Sequence, residues 1–198
     1  MHYRILRKIY KRAARKMCLA CEEFIKKGSA ILDLGCGSAI IGKTFQDFFQ
    51  AEIIGVDIRD IRRINIPFKL YDGKNLPFAE KSFDIVLINY VLHHCQDPTA
   101  VLREAKRVSR DKIIVFEDLP EGFLSELICR LHGLSYHLFR QQKNPSFFKT
   151  ENQWEKIFQE LGLNIIFKER RHNFPYRKEL FVLGDPLSGS IPALSAGA

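Results

Sequence analysis

Short apolar runs alternate with amphipathic stretches over the first two thirds of the chain, at the spacings typical of strands and helices. The apolar runs predict strands at Ala30–Leu34, Ile53–Asp57, Ile66–Leu70, Ile85–Ile88 and Ile113–Phe116. The stretches between them predict helices over about 3–27, from the first glycine-rich turn to about Phe49, and from Asp97-Pro98 to about Val108. This alternation indicates a parallel sheet covered by helices on both faces.

The last third of the chain departs from that alternation. A capping box at Thr150–Gln153 predicts a helix that ends at Gly162, and two β-rich runs follow it at Leu163–Arg170 and Leu180–Leu183. Their close spacing favours a hairpin, so the last strand should lie antiparallel to the others. The expected fold class is therefore α/β, with a doubly wound, mostly parallel sheet at the centre of three α/β/α layers.

Length and composition favour one core domain flanked by two short segments. The 198 residues, 46% of them hydrophobic, suffice for one full core without a second domain. We predict a basic N-terminal helix at 1–28, the folded domain at 29–184 with a lid segment at 120–149, and a tail at 185–198. The composition of the tail cannot pack a core, so the tail is either disordered or a remnant of cloning.

The net charge of +8 comes almost entirely from the predicted first helix. Residues 1–16 hold seven Lys and Arg and no acid, and the remaining 24 basic and 23 acidic residues leave the rest of the chain at +1. Two helical faces separate: Arg4, Lys8, Lys11 and Arg15 share one, and Ile5, Ile9, Ala13 and Met17 lie on another. Two interpretations stay open, a contact with a membrane surface or RNA, or a docking helix with a solvated basic face.

Nothing in the sequence predicts export or a membrane span. No apolar stretch approaches the ~20 residues that cross a bilayer, and the N-terminus lacks the apolar core of a secretory signal. Five cysteines, an odd number, favour a reducing compartment, so we expect a cytoplasmic protein. Cys18 and Cys21 form a C-x-x-C inside a helical pattern with no second pair downstream, which favours packing over metal binding or redox chemistry.

The end of the first predicted strand carries the most chemical information. Asp33 is followed by Gly35 and Gly37 and then by an apolar helix. A buried strand that enters a glycine-rich turn and a helix N-terminus is typical of nucleotide-type ligand sites. A carboxylate inside that turn would repel a pyrophosphate but suits a ligand with a cationic end. Ile40 also stands where a dinucleotide fingerprint has its third glycine.

Further polar residues follow the other strands at the same predicted edge. Asp57 ends the second strand, 20 residues after Gly37, where an acid reaches ribose hydroxyls in folds of this kind. Asp72-Gly73 follows the third strand, and Asn89 follows the fourth. Each of these alone is commonly a turn or a helix cap, but their order at the ends of successive strands indicates one site.

These motifs resemble the class I S-adenosylmethionine (SAM) methyltransferases, in particular the broad family that includes the ubiquinone and menaquinone biosynthesis enzymes. The match covers about Ile31 to Glu117 and rests on the acidic-x-Gly-x-Gly motif and the strand-end acids after it. It implies a Rossmann-like fold and SAM as methyl donor, with S-adenosyl-L-homocysteine as product. No metal is expected.

The resemblance also assigns cofactor contacts in this chain. The cofactor-binding set that it implies is Asp33, Gly35, Gly37, Asp57, Asp72, Gly73 and Asn89. Asp33 should hold the methionine amino group, Asp57 the ribose, and Asp72 the adenine amino group. Backbone at Asn89 should close the methionine end, and 76–78 should form a loop near the adenine.

The catalytic residues stay unknown at this level. Methyl transfer from SAM is an in-line displacement in which positioning and exclusion of water dominate, and a base is needed only for an acceptor that must lose a proton. His93, His94 and Glu117 are the candidates for that base, with Asp118 beside Glu117 at the same expected edge, although helix capping or packing explains them better. Contacts to the acceptor are expected from the lid, where the candidates near one helical face are His132, Tyr136, His137 and Arg140. A dimer interface or a core helix would explain these lid residues nearly as well.

Three functions stay open. The first is SAM-dependent methyl transfer to a small-molecule or lipid-like acceptor, which the apolar and aromatic lid favours. The second is methylation of RNA or protein, which the basic helix allows even though Asn89-Tyr-Val-Leu replaces the Asn/Asp-Pro-Pro-Tyr/Phe motif of enzymes that methylate amino groups of bases. The third is a SAM-binding protein without transferase activity. The sequence does not indicate an oligomeric state.

Overall fold

The computed structural model describes residues 2–120, 127, 148–173 and 176–184. Its strands are β1 (Ala30–Leu34), β2 (Glu52–Asp57), β3 (Phe68–Leu70), β4 (Phe83–Asn89), β5 (Ser109–Leu119), β6 (Asn164–Asn173) and β7 (Tyr176–Gly184). The helices with defined bounds are α1 (His2–Ala20), α2 (Ile40–Phe49), α3 (Pro98–Val108) and α4 (Glu151–Glu160), with a short 3₁₀ turn at Leu92–His94. The four lid candidates at 132, 136, 137 and 140 and the tail at 185–198 lie outside the described residues.

All seven strands join one sheet in the order β3-β2-β1-β4-β5-β7-β6. β1 pairs in parallel with β2 and β4, and the parallel pairing continues from β2 to β3 and from β4 to β5. β7 pairs antiparallel with both β5 and β6. The predicted doubly wound sheet, the hairpin and the antiparallel last strand are therefore confirmed.

Two apolar clusters cover the two faces of the sheet and complete the three layers. One contains Leu102 of α3 with Trp154 and Phe158 of α4, and the other contains Cys18 of α1 with Phe45 of α2. Successive residues of the central strands alternate between the two clusters, as side chains do along a strand. This buried frame fixes the carboxyl ends of the parallel strands at one edge.

The predicted helix starts are confirmed by their caps. The Asp97 carboxylate accepts a hydrogen bond from the Ala100 N–H at 2.9 Å, and Pro98 occupies the first helical position of α3. Thr150 and Gln153 form the reciprocal capping box that begins α4. Local side-chain chemistry thus sets both boundaries.

The end of α1 differs from the prediction, because the helix stops at Ala20 and not near residue 27. The Cys21 N–H bonds to the Cys18 carbonyl at 3.0 Å, a three-residue spacing that closes the last turn. Glu22 and Glu23 follow directly, and carboxylates are unfavourable beside the negative end of the helix dipole.

The buried face of α1 also differs from the apolar face drawn from the sequence. Ile9 and Ala13 are exposed, and the helix docks through Ala14, Met17, Cys18 and Cys21. Both cysteines are free, and burial raises the pKa of the Cys18 thiol to about 12, so the C-x-x-C packs as expected. Among the described helices, none is long and apolar enough to cross a membrane.

Candidate functional site at the carboxyl edge of the sheet

The turn after β1 requires glycine for two separate reasons. Gly35 and Gly37 have φ angles of +74° and +51°, the left-handed region that other residues rarely adopt. A Cβ on Gly35 would also lie 2.5 Å from a methyl group of Val91. The N–H groups of Gly35 and Cys36 both donate to the Val56 carbonyl, at 2.8 and 3.1 Å, so the turn is tied to β2.

Asp33 is sealed between β1 and the first turn of α2. Its side chain is 1% exposed, and a Cβ on Gly42 would lie 2.4 Å from its Oδ2 atom. Burial, with a further contribution from the Asp57 carboxylate, raises the pKa of Asp33 to about 7. Within the described residues no donor makes a well-formed hydrogen bond to Oδ2, although the nearby Asn89 side chain and Gly42 N–H partly offset the rise in this pKa. A carboxylate in this state favours a cationic hydrogen-bond donor over any other neighbour.

Asp33 begins a diagonal row of buried polar groups that crosses the sheet. Five buried side-chain N or O atoms of the described residues lack a hydrogen-bond partner, and four of them belong to Asp33, Asn89 and Asp118. In register, Asp33 stands beside Leu87 and Asn89 beside Phe116. Each step to the next strand thus moves two residues toward the carboxyl edge, on the face covered by α1 and α2. Such a concentration marks a ligand site.

The last member of the row, Asp118, lies near the end of β5, at the edge where the sequence predicted the site. The nearest cation is Lys178, whose Nζ lies 3.9 Å from Asp118 Oδ1 and 4.7 Å from the centre of the Tyr90 ring. Burial raises the pKa of Asp118. Tyr90 itself has a φ of +56°, an uncommon conformation for a non-glycine residue, and it turns the chain directly after Asn89.

Asp57 ends β2, as predicted, and joins it to the glycine turn. Its Oδ2 accepts from the Gly37 N–H at 2.9 Å, and its Oδ1 accepts from the Arg59 N–H at 3.3 Å. The next residue, Ile58, is 49% exposed, and a Cβ on Gly73 would lie 3.3 Å from its methyl group. Ile58 therefore gives this end of the site an apolar wall that sequence reasoning did not identify.

Asp72 lies in a turn after β3. Its Oδ1 accepts from the N–H groups of Lys74 and Asn75, at 2.8 and 2.7 Å. These bonds lower the pKa of Asp72. A carboxylate has about four acceptor positions, so it can accept further donors while it holds the turn.

The predicted loop at 76–78 is present and is clamped from α3. Glu104 Oε2 accepts from the Leu76 N–H at 2.8 Å, while Arg107 donates to the carbonyls of Leu76 and Phe78 at 3.1 and 2.9 Å. No short-range sequence signal could reveal this clamp, because the partners are about thirty positions apart. At the opposite edge of the sheet, the Asp84 carboxylate accepts from the Ala30 N–H at 2.9 Å, which is a structural role.

His93 and Glu117 form a buried pair on the other face of the sheet edge. Their Nδ1 and Oε2 atoms are 2.6 Å apart, and Glu117 Oε1 also accepts from the Leu92 N–H at 2.8 Å. Burial lowers the pKa of His93, but the charge and hydrogen bond of Glu117 outweigh it, so the pKa lies above its ordinary value. The His93 ring also stacks on Phe148 at 4.7 Å and lies 4.1 Å from His94.

The structure therefore brings most of the predicted site residues to one edge. The ends of β1, β2 and β4 are adjacent, which places Asp33, Asp57 and Asn89 side by side, while Asp72 follows the edge strand β3. Among the described residues, no cluster of His, Cys, Asp or Glu could hold a metal ion. Gly42 was missed, although a lone glycine in an apolar helix pattern is a signal of close approach.

A family described as a methyltransferase domain matches residues 3–167. An uncharacterized methyltransferase of Schizosaccharomyces pombe is 34% identical over 107 residues, covering 44% of this chain and 38% of that protein. A demethylmenaquinone methyltransferase of Corynebacterium efficiens is 36% identical over 95 residues, covering 43% of this chain and 39% of that protein. The alignments thus span about two fifths of these relatives' own lengths.

A solved structure has the same fold. A SAM-dependent methyltransferase from Methanosarcina mazei superposes with a TM-score of 0.67 at 16% identity, covering 83% of this chain and 96% of that one. The chain therefore belongs to the methyltransferase domain family, and its fold is that of the SAM-dependent methyltransferases.

Proposed function

We propose that the protein is a SAM-dependent methyltransferase that moves a methyl group to a small-molecule or lipid-like acceptor. The observation that carries the proposal is the row of buried polar atoms on Asp33 and Asn89 beside the glycine turn, which lack well-formed hydrogen bonds. These atoms fit the methionine end of SAM, which offers an ammonium to a carboxylate and a carboxylate to an amide. When bound, SAM supplies an electrophilic methyl group on its sulfonium.

The residues of the chain hold and orient the cofactor in this proposal. Asp33 accepts from the ammonium, and Gly35 and Gly37 let the backbone approach the ligand. Asp57, at the end of β2, accepts from the ribose hydroxyls, and Asp72 with Gly73 lies at the adenine. The clamped loop at 76–78 keeps water from the adenine end, and backbone at Asn89 closes the methionine end.

Two residues proposed to contact the methyl acceptor continue the same row of polar groups across the sheet. Asp118 lies one strand beyond Asn89 and Lys178 two strands beyond it, and they offer a hydrogen-bond acceptor and a donor for a polar group of the substrate. His93, held by Glu117 on the other face of the edge and with His94 beside it, is the base in this proposal for an acceptor that must lose a proton. The Corynebacterium relative, named for demethylmenaquinone, supports an acceptor of lipid-like character.

Calorimetry with SAM tests the cofactor site. Loss of one charge-assisted hydrogen bond costs about 1.5–3 kcal/mol, so Asp33→Ala and Asp57→Ala should each weaken SAM binding roughly 10- to 150-fold. Asp47→Ala is the matched control, because Asp47 pairs with Lys43 on the exposed side of α2. Wild-type affinity in both site variants would overturn the assignment.

Labelled methyl transfer tests the acceptor class. The wild-type protein is incubated with methyl-labelled SAM and cell extract, which is then separated into lipid, small-molecule, RNA and protein fractions. Label in the lipid or small-molecule fraction supports the proposal. Label in RNA or protein contradicts the acceptor class, and SAM binding with no label in any fraction contradicts the transferase activity.

A further inference from the structure

Residues 7–13 of α1 project from the rest of the described protein. Every side chain from Arg7 to Ala13 is exposed, whereas Ala14, Met17 and Cys18 further along the helix are buried. We call residues 7–13 the projecting segment. None of its side chains joins either apolar cluster of the described residues.

The projecting segment extends past the edge of the sheet that carries the candidate site. Arg171 of β6 donates to the Lys16 carbonyl at 3.2 Å, and in register Arg171 stands level with Asp118 at the carboxyl end of β5. Further along, the Phe24 ring lies 4.9 Å from Phe167, toward the opposite edge. The chain therefore passes the site edge near Lys16, and the residues before it lie beyond that edge.

The exposed side chains of this segment separate into an apolar stripe and a basic surface. At about 100° per residue, Ile9, Tyr10 and Ala13 fall within one arc of about 100°. Ile9 is 58% exposed and Tyr10 51%. The rest of the circumference holds the four basic residues of the segment: Arg7, Lys8, Lys11 and Arg12. Cations therefore flank the stripe on both sides.

The basic residues of the projecting segment repel one another when no anion is bound to them. Arg7 and Lys11, and likewise Lys8 and Arg12, are like charges at i,i+4, a spacing at which they repel each other on a helix. Residues 1–16 contain no acid that could offset this repulsion. A short helix without packing is also marginal in water. An anionic partner would relieve the repulsion and stabilise the helix.

We propose that the projecting segment docks on the surface of an anionic lipid bilayer. The cations would meet the headgroups, and the stripe of Ile9 and Tyr10 would lie at the boundary with the acyl chains. A nucleic acid would satisfy the cations, but its phosphates offer no apolar medium to Ile9. Docking would also turn the site edge toward the bilayer, where a lipid-like acceptor resides. Only this last consequence rests on the proposed function.

Vesicle sedimentation of the full chain tests the docking directly. The vesicles are phosphatidylcholine alone, or with about one third phosphatidylglycerol, at a physiological salt concentration of about 0.15 M. We expect binding to the anionic vesicles only. Lys8→Gln with Lys11→Gln should weaken it about 25-fold, because each cation near such a surface contributes roughly fivefold. Lys26→Gln with Lys27→Gln removes the same charge from exposed positions outside the helix and should leave binding unchanged.

The apolar stripe is tested separately from the charge. Ile9→Ser with Tyr10→Ser keeps every cation and should weaken vesicle binding at least tenfold. In the Tyr10→Trp variant, the fluorescence emission of the introduced tryptophan should shift to shorter wavelengths when anionic vesicles are added. The proposal is overturned by three results: no binding to anionic vesicles, wild-type binding of the Ile9/Tyr10 variant, or tighter binding to an RNA oligonucleotide than to vesicles at the same salt. We expect all of these variants to bind SAM as the wild-type protein does, so failure of membrane docking can be distinguished from failure of the proposed function.

Discussion

Gly42 determines whether Asp33 can keep its position. A Cβ at residue 42 would lie 2.4 Å from Asp33 Oδ2, closer than real Cβ contacts, and 3.2 Å from its Cγ, tighter than most of them. Asp33 is 1% exposed, so the protein encloses it. Gly42→Ala should therefore displace either the carboxylate or the first turn of α2.

Two opposing effects decide the sign of the change. Alanine in place of glycine in a helix stabilises by about 1 kcal/mol. Overpacking a buried site costs about 1–3 kcal/mol, and here the clash falls on a buried carboxylate, so we expect a net loss of up to about 2 kcal/mol in the free energy of unfolding. Displacing Asp33 should also weaken SAM binding roughly 10- to 150-fold, the worth of one charge-assisted hydrogen bond.

Urea unfolding and calorimetry with SAM measure these two quantities. Gly184→Ala is the matched control, since a Cβ there meets nothing closer than 3.4 Å and should lower neither. In an Asp33→Ala background the clash disappears, so Gly42→Ala should become stabilising by about 0.5–1 kcal/mol. Equal destabilisation in both backgrounds, or wild-type SAM affinity in the single variant, would refute this reasoning.

Four further predictions concern protons and the clamped loop. The pKa of Asp33 is about 7, and a bound ammonium favours its ionised form. SAM binding should therefore release close to one proton at pH ~6 and almost none above pH ~8. Calorimetric binding heats at pH ~6 that do not depend on the ionisation enthalpy of the buffer would contradict this. The same raised pKa means that the ligand-free protein loses stability as pH rises from about 4 to about 7, and Asp33→Asn should flatten that dependence in urea titrations. In an NMR titration His93 should show a pKa above about 6.5, and Glu117→Gln should lower it. The contribution of the charged His93–Glu117 pair to stability is full below pH ~6.5 and is lost as pH rises through the folded-state pKa of His93. An unchanged His93 titration in the Glu117→Gln variant would show that the two residues are not coupled. Glu104→Ala removes the acceptor of the Leu76 N–H and should speed hydrogen exchange at Leu76 about fivefold, for a bond worth about 1 kcal/mol, whereas unchanged exchange would show that Arg107 holds the loop alone.

Local chemistry made much of the fold predictable. The apolar run fixes β1 at Ala30–Leu34, and capping residues fix the starts of α3 and α4, because each signal is contained within a few residues. The end of α1 was predicted wrongly because a helix-favouring pattern continues past Ala20, while the core contacts of Cys21 and the turn after it decide where the helix stops.

The site was predictable only where its residues end a strand. Asp33, Asp57 and Asn89 are found by that rule. The same rule brings Asp118 to this edge, but its alignment in a row with Asn89 depends on the register of β4 with β5. The lone glycine at position 42 hints at a close approach, but only the packing of α2 on β1 shows that Asp33 is what it approaches. The roles assigned to the cofactor residues remain predictions until SAM binding is measured.

The position of β7 bears on how the protein is made. Although β7 is the last strand in the described chain, it lies between β5 and β6 and pairs with Lys112–Leu119 along its length. During synthesis, β5 must therefore wait with an open hydrogen-bonding edge while α4, β6 and finally β7 emerge from the ribosome. Such an edge attracts pairing with other chains, so nascent chains are most prone to association in this interval. A frameshift shortly before residue 176 would leave this interval permanent, since it removes a central strand and leaves the edge of β5 uncovered.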